Sequence, residues 1–177
     1  MLLVDIHDVE SDQIRGLADV QVRSWKAAYR GIIPDAHLDA MSVDESEKRW
    51  RASASHTSPT TIVVAESMGT VVGFASYGPC RDPDWRAHAA EVYALYVDPE
   101  RYGQSIGGSL MAHALNSFRR NGYRRAALWV LERNAHARSF YEHKLWLHEG
   151  SRKTIQFGNV SVDEVRYEHR LASPVYL

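Results

Sequence analysis

The feature that most constrains the fold is a strand–helix–strand unit in the second half of the chain. The run from Glu91 to Val97 predicts a strand, and a glycine-containing turn leads from its end into an amphipathic helix that reaches beyond Phe118. The segment from Arg125 to Leu131 then contains six consecutive apolar residues, which is typical of a strand buried on both faces. Two strands joined by a helix of this length lie parallel, so the sequence predicts a βαβ crossover.

The segments on either side of this crossover predict helices and antiparallel strands. Ser11 or Asp12 can cap a first helix whose apolar face runs from Ile14 to Tyr29. The other predicted elements are a strand over 2–7, a helix over 43–54, a hairpin over 60–66 and 70–77, a helix over 134–144, and strands over 146–157 and 160–171. The expected fold is α/β, a single domain over residues 1–177 with a mixed, mostly antiparallel sheet, a central parallel βαβ crossover and flanking helices.

Composition argues against several functional classes. The 21 basic and 22 acidic residues give a formal net charge of -1, so no overall field attracts nucleic acid or an anionic membrane surface. The longest apolar runs have six residues, whereas a membrane-spanning helix needs about 20. The amino terminus lacks a secretory pattern and the single cysteine, Cys80, permits no internal disulfide, so we expect a cytoplasmic protein. The nine histidines show no metal-ligand spacing, so we expect no metal.

Three glycines, Gly103, Gly107 and Gly108, lie between the central strand and its helix. The first amides of a helix have no intrahelical acceptor and the helix dipole favours an anion there, so this turn is a candidate phosphate site. Such turns are also common for purely structural reasons. An unrelated nucleotide-binding α/β protein is another alternative, although no Asp or Glu follows the glycines at a convincing dinucleotide position.

Two segments around this turn resemble the cofactor motifs of the GCN5-related N-acetyltransferase (GNAT) family. The first is ALYVDP with the turn and helix that follow it, and the second is ALWVLERNAHARSFYEHKLW. They occur in the family's order and spacing, and the segment WKAAYRGIIPD is also similar to a run in many bacterial members. The resemblance extends over nearly the whole chain. It implies an enzyme that moves the acetyl group of acetyl-CoA directly to a primary amine of a small molecule or peptide, without a metal ion.

In that family the cofactor contacts the central strand, the glycine turn and the start of the second motif's helix. Carried over residue by residue, the implied cofactor-binding positions are Leu95, Tyr96, Val97, Tyr102, Gly103, Gln104, Ser105, Ile106, Gly107, Gly108 and Asn134. The resemblance implies backbone contacts from the first three positions. Asn134 can cap its helix as well.

The chain departs from the family pattern at three positions. The family's RxxGxG sequence begins at Tyr102, so that Tyr102 replaces the arginine and Ser105 replaces the first glycine. If the turn needs a positive φ at Ser105, a side chain there costs about 1–2 kcal/mol. Leu145 stands where the family usually has a glycine that ends the last helix. These departures support an alternative, a catalytically weak or inactive acyl-CoA-binding module on the same fold.

Two residues are candidates for acid–base catalysis. An alkylammonium must lose a proton before the amine attacks a thioester, and the resemblance implies Glu91 as the general base. The alternative is that Glu91 is an exposed glutamate at a strand end. Tyr141 occupies the family's general-acid position and would protonate the departing thiolate; its alternative is an aromatic residue that packs on the apolar face of its helix.

The acceptor site is the least constrained part of the sequence. Trp25 and Tyr29 on the first helix, with Tyr77 or Trp85 near the loop before the central strand, are candidate aromatic walls that favour a cationic amine. The alternative is that these rings belong to the core. The sequence identifies no particular amine, and it leaves open whether two chains associate as a homodimer.

Overall fold

The computed structural model describes residues 4–54, 58–85 and 88–171, which form a seven-stranded sheet flanked by helices. The elements are β1 (Asp5–Asp8), α1 (Ile14–Ala28), α2 (Asp35–Ala40), α3 (Val43–Ser53), β2 (Thr61–Ser67), β3 (Thr70–Pro79), β4 (Ala89–Val97), α4 (Ile106–Arg120), β5 (Arg125–Leu131), α5 (Ala135–His143), β6 (Leu147–Phe157) and β7 (Val160–Arg170). Pro99–Arg101 adds a short 3-10 helix after β4. Within these residues, no helix combines the length and apolar character needed to cross a membrane.

The strand order is β1-β2-β3-β4-β5-β7-β6, and all neighbouring pairs are antiparallel except β4 and β5. The predicted fold class, with its central parallel crossover, is therefore confirmed. Two local predictions are wrong. Helix α1 begins after Gln13, whose side chain accepts a hydrogen bond from the Glu10 amide, and not after Ser11 or Asp12. Helix α2 lies in a segment whose glycine and proline predict only a connection.

The two parallel strands stay paired for only four residues each. Ala89–Val92 of β4 pairs with Arg125–Leu128 of β5. Beyond that point β4 continues to pair with β3 as far as Val97, while β5 continues to pair with β7 as far as Leu131. The sheet is therefore split between β4 and β5, and the facing backbone groups of β4 have no strand partner on that side.

A β-bulge lies at the beginning of this split. Ser76 pairs with Ala94 and Tyr77 pairs with Val92, which leaves Tyr93 as the extra residue of β4. The Tyr93 hydroxyl donates a hydrogen bond of 2.6 Å to the Pro79 carbonyl, which fixes the bulge to the end of β3. An extra residue reverses the alternation of side chains, so odd-numbered residues of β4 face one side of the sheet before the bulge and the other side after it.

Apolar side chains cover both faces of the sheet. On one face, Leu110, Met111 and Phe118 of α4 pack against the strands, and on the other Leu17 and Val20 of α1 do so. Both helices show the apolar spacing that the sequence predicts. A smaller cluster around Ile33, Leu38, Leu131 and Val162 joins α2 to the far end of β5 and β7.

Helix α5 has well-defined ends. The Asn134 side chain accepts a hydrogen bond of 3.2 Å from the Ala137 amide, which confirms the predicted cap. At the other end the amides of Leu145 and Trp146 donate to the carbonyls of Glu142 and Tyr141, the pattern of a Schellman motif. Leu145 takes the left-handed position of this motif at φ 63° although it is not glycine, and its side chain is 77% exposed.

A buried guanidinium connects three distant segments. Arg166 of β7 has a side chain only 5% exposed, and it donates hydrogen bonds to Asp82 at 2.9 Å, Asp84 at 2.7 Å and Glu149 at 2.8 Å. Its charge also lies 4.3 Å from the centre of the Trp85 ring. The loop after β3 is thereby attached to the β6–β7 hairpin.

Candidate active site

A cavity of about 650 Å³ opens where β4 and β5 separate. Residues of α1, β4, the turn before α4, β5, α5 and the β6–β7 hairpin line it. It brings together the residues assigned above to cofactor, acceptor or general acid, namely Trp25, Tyr29, Leu95, Tyr96, Val97, Tyr102, Gly103, Gln104, Ser105, Ile106, Gly107, Gly108, Asn134 and Tyr141. Glu91 does not line it. The individual roles of these residues stay predictions.

One end of the cavity is electropositive. The amides of Ile106, Gly107 and Gly108 begin α4 and have no intrahelical acceptor, and the helix dipole adds positive potential there. The Lys144 Nζ lies 3.2 Å from the point that a Cβ on Gly108 would occupy. Arg101, in the 3-10 helix, also lines the cavity. The Lys144 ammonium therefore stands beside the predicted diphosphate position, where the family arginine is missing, and Arg101 lines the same cavity.

The two departures in the turn have different structural effects. The Tyr102 ring stacks on the His136 ring, with centroids 5.7 Å apart and planes 29° apart, so it provides an aromatic surface and no charge. Ser105 adopts φ 64° and ψ 4°, which is the left-handed conformation that a glycine would take, and its side chain forms no capping hydrogen bond. Because the folded chain already holds this conformation, the cost of the serine falls on folding and not on ligand binding.

Tyr141 forms part of the cavity wall. Its ring packs against Phe140 at 5.3 Å and against Trp146 and Tyr167 at 6.3 Å, and the Schellman motif fixes the backbone behind it. Among the described residues, none forms a hydrogen bond with its hydroxyl. Burial raises the pKa of Tyr141 well above its ordinary value, so the phenol keeps its proton and remains a donor.

Aromatic side chains form the opposite wall. The Trp25 ring lies 5.1 Å from Tyr29 and 6.4 Å from both Tyr96 and Phe157. The hydroxyls of Tyr29 and Tyr96 share a hydrogen bond of 3.2 Å. Burial raises the pKa of both phenols. Trp25 and Tyr29 thus line the cavity and also pack against the cluster of Ile33 and Leu38. The prediction that they wall a pocket and the alternative that they belong to the core each describe part of their environment.

The structure does not bring Glu91 to the cavity. Glu91 is 1% exposed, in the part of β4 that still pairs with β5, and its carboxylate accepts hydrogen bonds from the Arg81 amide at 2.9 Å and guanidinium at 2.6 Å. It is therefore not an exposed strand-end glutamate, and it is not among the residues that line the cavity. This geometry is typical of a structural ion pair. Catalysis by Glu91 stays a prediction, and no contact between Glu91 and the cavity supports it.

The other proposed acceptor aromatics belong to the core. Tyr77 is buried and its ring packs 5.3 Å from Phe118 under α4. Trp85 packs with Cys80 and Ala127 and lies under the Arg166 guanidinium. The expectation that Tyr77 or Trp85 walls the acceptor pocket is wrong, because both rings are buried in core clusters and neither lines the cavity.

Several residues that line the cavity could not be recognised from the sequence. Lys144 stands inside the second motif, but only the fold places its charge beside the start of α4. Phe157 and Glu164 lie on β6 and β7, far from both motifs, and reach the cavity because β7 pairs with β5. Within the described residues, no three His, Cys, Asp or Glu side chains come close enough together to hold a metal ion.

Comparison with known proteins identifies one family. A sequence model of the acetyltransferase (GNAT) family matches residues 22–145. An uncharacterized N-acetyltransferase of Bacillus subtilis (strain 168) is 31% identical over 132 residues, which cover 75% of this chain and 74% of that protein.

Solved structures show the same fold at low sequence identity. The paiA N-acetyltransferase from Thermoplasma acidophilum, in complex with coenzyme A, superposes with a TM-score of 0.76 at 20% identity and covers 96% of this chain and 99% of its own. The yncA protein from Salmonella typhimurium, with its cofactor acetyl-CoA, has a TM-score of 0.68 at 18% identity and covers 98% of this chain and 96% of its own.

The left-handed conformation of Ser105 leads to a stability prediction. We expect Ser105→Gly to raise the free energy of unfolding by about 0.5–1 kcal/mol, because the strain relieved exceeds the entropy that glycine adds to the unfolded chain. We expect coenzyme A affinity to stay the same. The matched control is Ser109→Gly, an exposed helical position of α4, which should lower stability by about 0.5 kcal/mol. Urea unfolding measures both; equal losses in the two variants would contradict strain at Ser105.

The buried phenols lead to a prediction about alkaline pH. Tyr29, Tyr96 and Tyr141 have a pKa raised above the unfolded value near 10, so the folded state binds more protons than the unfolded state once the pH exceeds about 10. Their contribution is complete below that pH and is lost above it, at roughly 1.4 kcal/mol per pH unit for each phenol. Urea unfolding at stepped pH should show this decline, with a shallower slope for Tyr141→Phe. Full ionisation of all tyrosines in a protein with intact circular dichroism would disprove it.

Proposed function

The chain belongs to the acetyltransferase (GNAT) family, and on that premise we propose that it is an N-acetyltransferase that moves the acetyl group of acetyl-CoA directly to a primary amine of a small molecule or peptide. The observation that carries the proposal is the cavity at the split between β4 and β5. It joins an electropositive helix start, the protonated phenol of Tyr141 and an aromatic wall within one space of about 650 Å³.

The residues present suit coenzyme A. The amides of residues 106–108, with Lys144 and Arg101, would hold the diphosphate. The edge of β4 from Leu95 to Val97, which has no strand partner on the β5 side, would accept the pantetheine arm by backbone hydrogen bonds. When bound, acetyl-CoA supplies an acetyl group already activated as a thioester.

Positioning accounts for most of the catalysis in this proposal. An amine held against a thioester reacts as within one molecule, which can lower the barrier by several kcal/mol. Free amides along β4 would donate to the oxygen on which negative charge develops. The acceptor would lose its ammonium proton to solvent before attack. As the carbon–sulfur bond breaks, Tyr141 would give its proton to the sulfur, and the proton that nitrogen loses when the amide forms would restore the phenol; the raised pKa keeps that phenol protonated beforehand. Glu91, paired with Arg81 outside the cavity, has no step in this proposal.

Replacement of the phenol tests the mechanism. We expect Tyr141→Phe to lower kcat about 100-fold, because the donor to the leaving sulfur is lost, while coenzyme A affinity and stability stay near those of the wild type. Thiol release from acetyl-CoA with a panel of amines measures turnover, and calorimetry measures coenzyme A binding. The control is Tyr123→Phe, a half-buried tyrosine that packs on Phe118 and does not line the cavity.

The same assay distinguishes the alternative of an acyl-CoA-binding module. Wild-type protein that binds coenzyme A but releases no thiol with any amine would favour that module. Turnover that Tyr141→Phe leaves unchanged would remove Tyr141 from the mechanism and retain the enzyme.

A glycine in α4 tests where the ligand binds. A Cβ at Gly107 would meet only Phe140 at 3.5 Å and Val97 at 3.6 Å, which are ordinary contacts. We therefore expect Gly107→Ala to stabilise the free protein by about 0.5–1 kcal/mol, since alanine favours a helix. The new methyl group would still exclude the diphosphate from the helix start and weaken coenzyme A binding at least about tenfold.

Opposite changes in stability and affinity separate a ligand effect from damage to the fold. The control is Asn116→Ala, an exposed position further along α4 that should leave coenzyme A binding unchanged. Undiminished affinity in Gly107→Ala would show that the ligand does not approach this helix start.

A further inference from the structure

Charged side chains that line the cavity are separated by sign. Lys144 stands at the α4 end, where the proposed function puts the cofactor, and Arg101, in the segment before that helix, also lines the cavity. Glu164 of β7 is the only carboxylate among the described residues that line the cavity. The cavity therefore has a cationic end suited to phosphates. It also has one carboxylate, that of Glu164, for which binding of the cofactor gives no reason.

Glu164 lies on the acceptor side of the sheet. Its neighbour Val165 packs in the same core as Tyr141, and side chains alternate along β7, so Glu164 faces the opposite side. Tyr167, next to the Tyr141 ring, is three residues further along β7, or about 10 Å. The carboxylate is thus separated from the proposed reaction centre by the sheet and by several ångströms along it.

The surroundings of Glu164 suit an ammonium group on an alkyl chain. Trp25, Tyr29 and Phe157 line this side of the cavity with rings. The negative charge of Glu164 adds to the burial that raises the pKa of Tyr29, which places the carboxylate near that wall. Aromatic faces attract methylene groups and cations, and a carboxylate attracts the cation more strongly.

The carboxylate already binds one ammonium group in this structure. The Lys153 Nζ lies 3.3 Å from Glu164 Oε2, and Lys153 also lies over the Trp129 ring at 4.1 Å. Among the described residues, the ion pair with Lys153 involves Oε2 and no partner is found for Oε1. Lys153 is 42% exposed, so it can share the carboxylate with a ligand or leave it.

We infer that the acceptor is a dicationic alkylamine, and that Glu164 binds the ammonium group that does not react. The inference rests on the proposed function. The amine that attacks the thioester must be neutral, so it cannot be the cation that pairs with Glu164 during the transfer. An ammonium group that pairs with Glu164 at that moment must therefore be a second amine of the acceptor molecule. Glu164 is a specificity-determining residue in this reading and takes no part in the proton transfer.

A matched pair of amines tests the inference. Cadaverine and pentylamine have the same carbon chain, but only cadaverine carries a second amine; putrescine and butylamine form a second such pair. We expect wild-type kcat/KM for each diamine to exceed that for its monoamine by about 30-fold, the effect of one charge-assisted contact. In Glu164→Gln this ratio should fall to near one, while kcat/KM for the monoamines and the affinity for coenzyme A stay unchanged.

The control is Glu168→Gln on the same strand. Glu168 has the same 20% side-chain exposure as Glu164 and also pairs with a cation, Arg125 at 3.7 Å, but it does not line the cavity. It should keep the wild-type preference for diamines. Lys153→Gln should increase that preference, because it removes the competing ammonium group.

The outcomes separate this inference from the proposed function. Turnover of monoamines and diamines at equal rates in the wild type would overturn the dicationic acceptor and retain the acetyltransferase. A loss of monoamine turnover in Glu164→Gln would make Glu164 part of the chemistry and overturn its assigned role. Binding of cadaverine to the coenzyme A complex by calorimetry, weakened by Glu164→Gln but without thiol release, would retain the dicationic site and overturn the proposed function.

Discussion

The site depends on the early separation of β4 from β5. A central pair of parallel strands is normally hydrogen-bonded along its length, because an unpaired buried amide or carbonyl is costly. Here the pairing ends at Val92 and Leu128, and the bulge residue Tyr93 follows directly. The strands remain ordered beyond that point because each keeps its other partner, β3 or β7. One edge of β4 is thus left without a strand partner, while the rest of the sheet keeps its pairing.

The split also exposes different side chains on the two faces of the sheet. On one face α4 and α5 present amides, Lys144 and the Tyr141 phenol. On the other, α1 and the β6–β7 hairpin present aromatic rings and Glu164. A thioester in the opening would be accessible from both faces, so cofactor and acceptor need not compete for one entrance. The separation of positive from negative side chains along the cavity follows the same division.

The sequence predicts those parts that depend on local patterns. The six consecutive apolar residues that end at Leu131 indicate a buried strand, and Asn134 is recognisable as a cap because its role involves only the next turn. Glu91 could not be placed in this way, because strand alternation gives its face but says nothing of Arg81 or of the bulge that follows. Glu164 reaches the cavity only through the pairing of β7 with β5, a long-range contact without a local signature. Ser105 could be predicted only in part. The motif indicates a left-handed conformation at this position, but it does not say whether a serine can adopt it.

The Arg166 cluster relates the order of the chain to the assembly of the cavity. Its bond to Asp82 joins residues 84 positions apart, and Asp82 in turn accepts a hydrogen bond from Trp129, which lines the cavity. To form this contact the chain must close a long loop, which costs configurational entropy. During synthesis on the ribosome, the amino-terminal strands and the central crossover emerge well before β7. Glu164 can therefore join the cavity wall only after β7 has been synthesised, when the glycine turn before α4 has already left the ribosome.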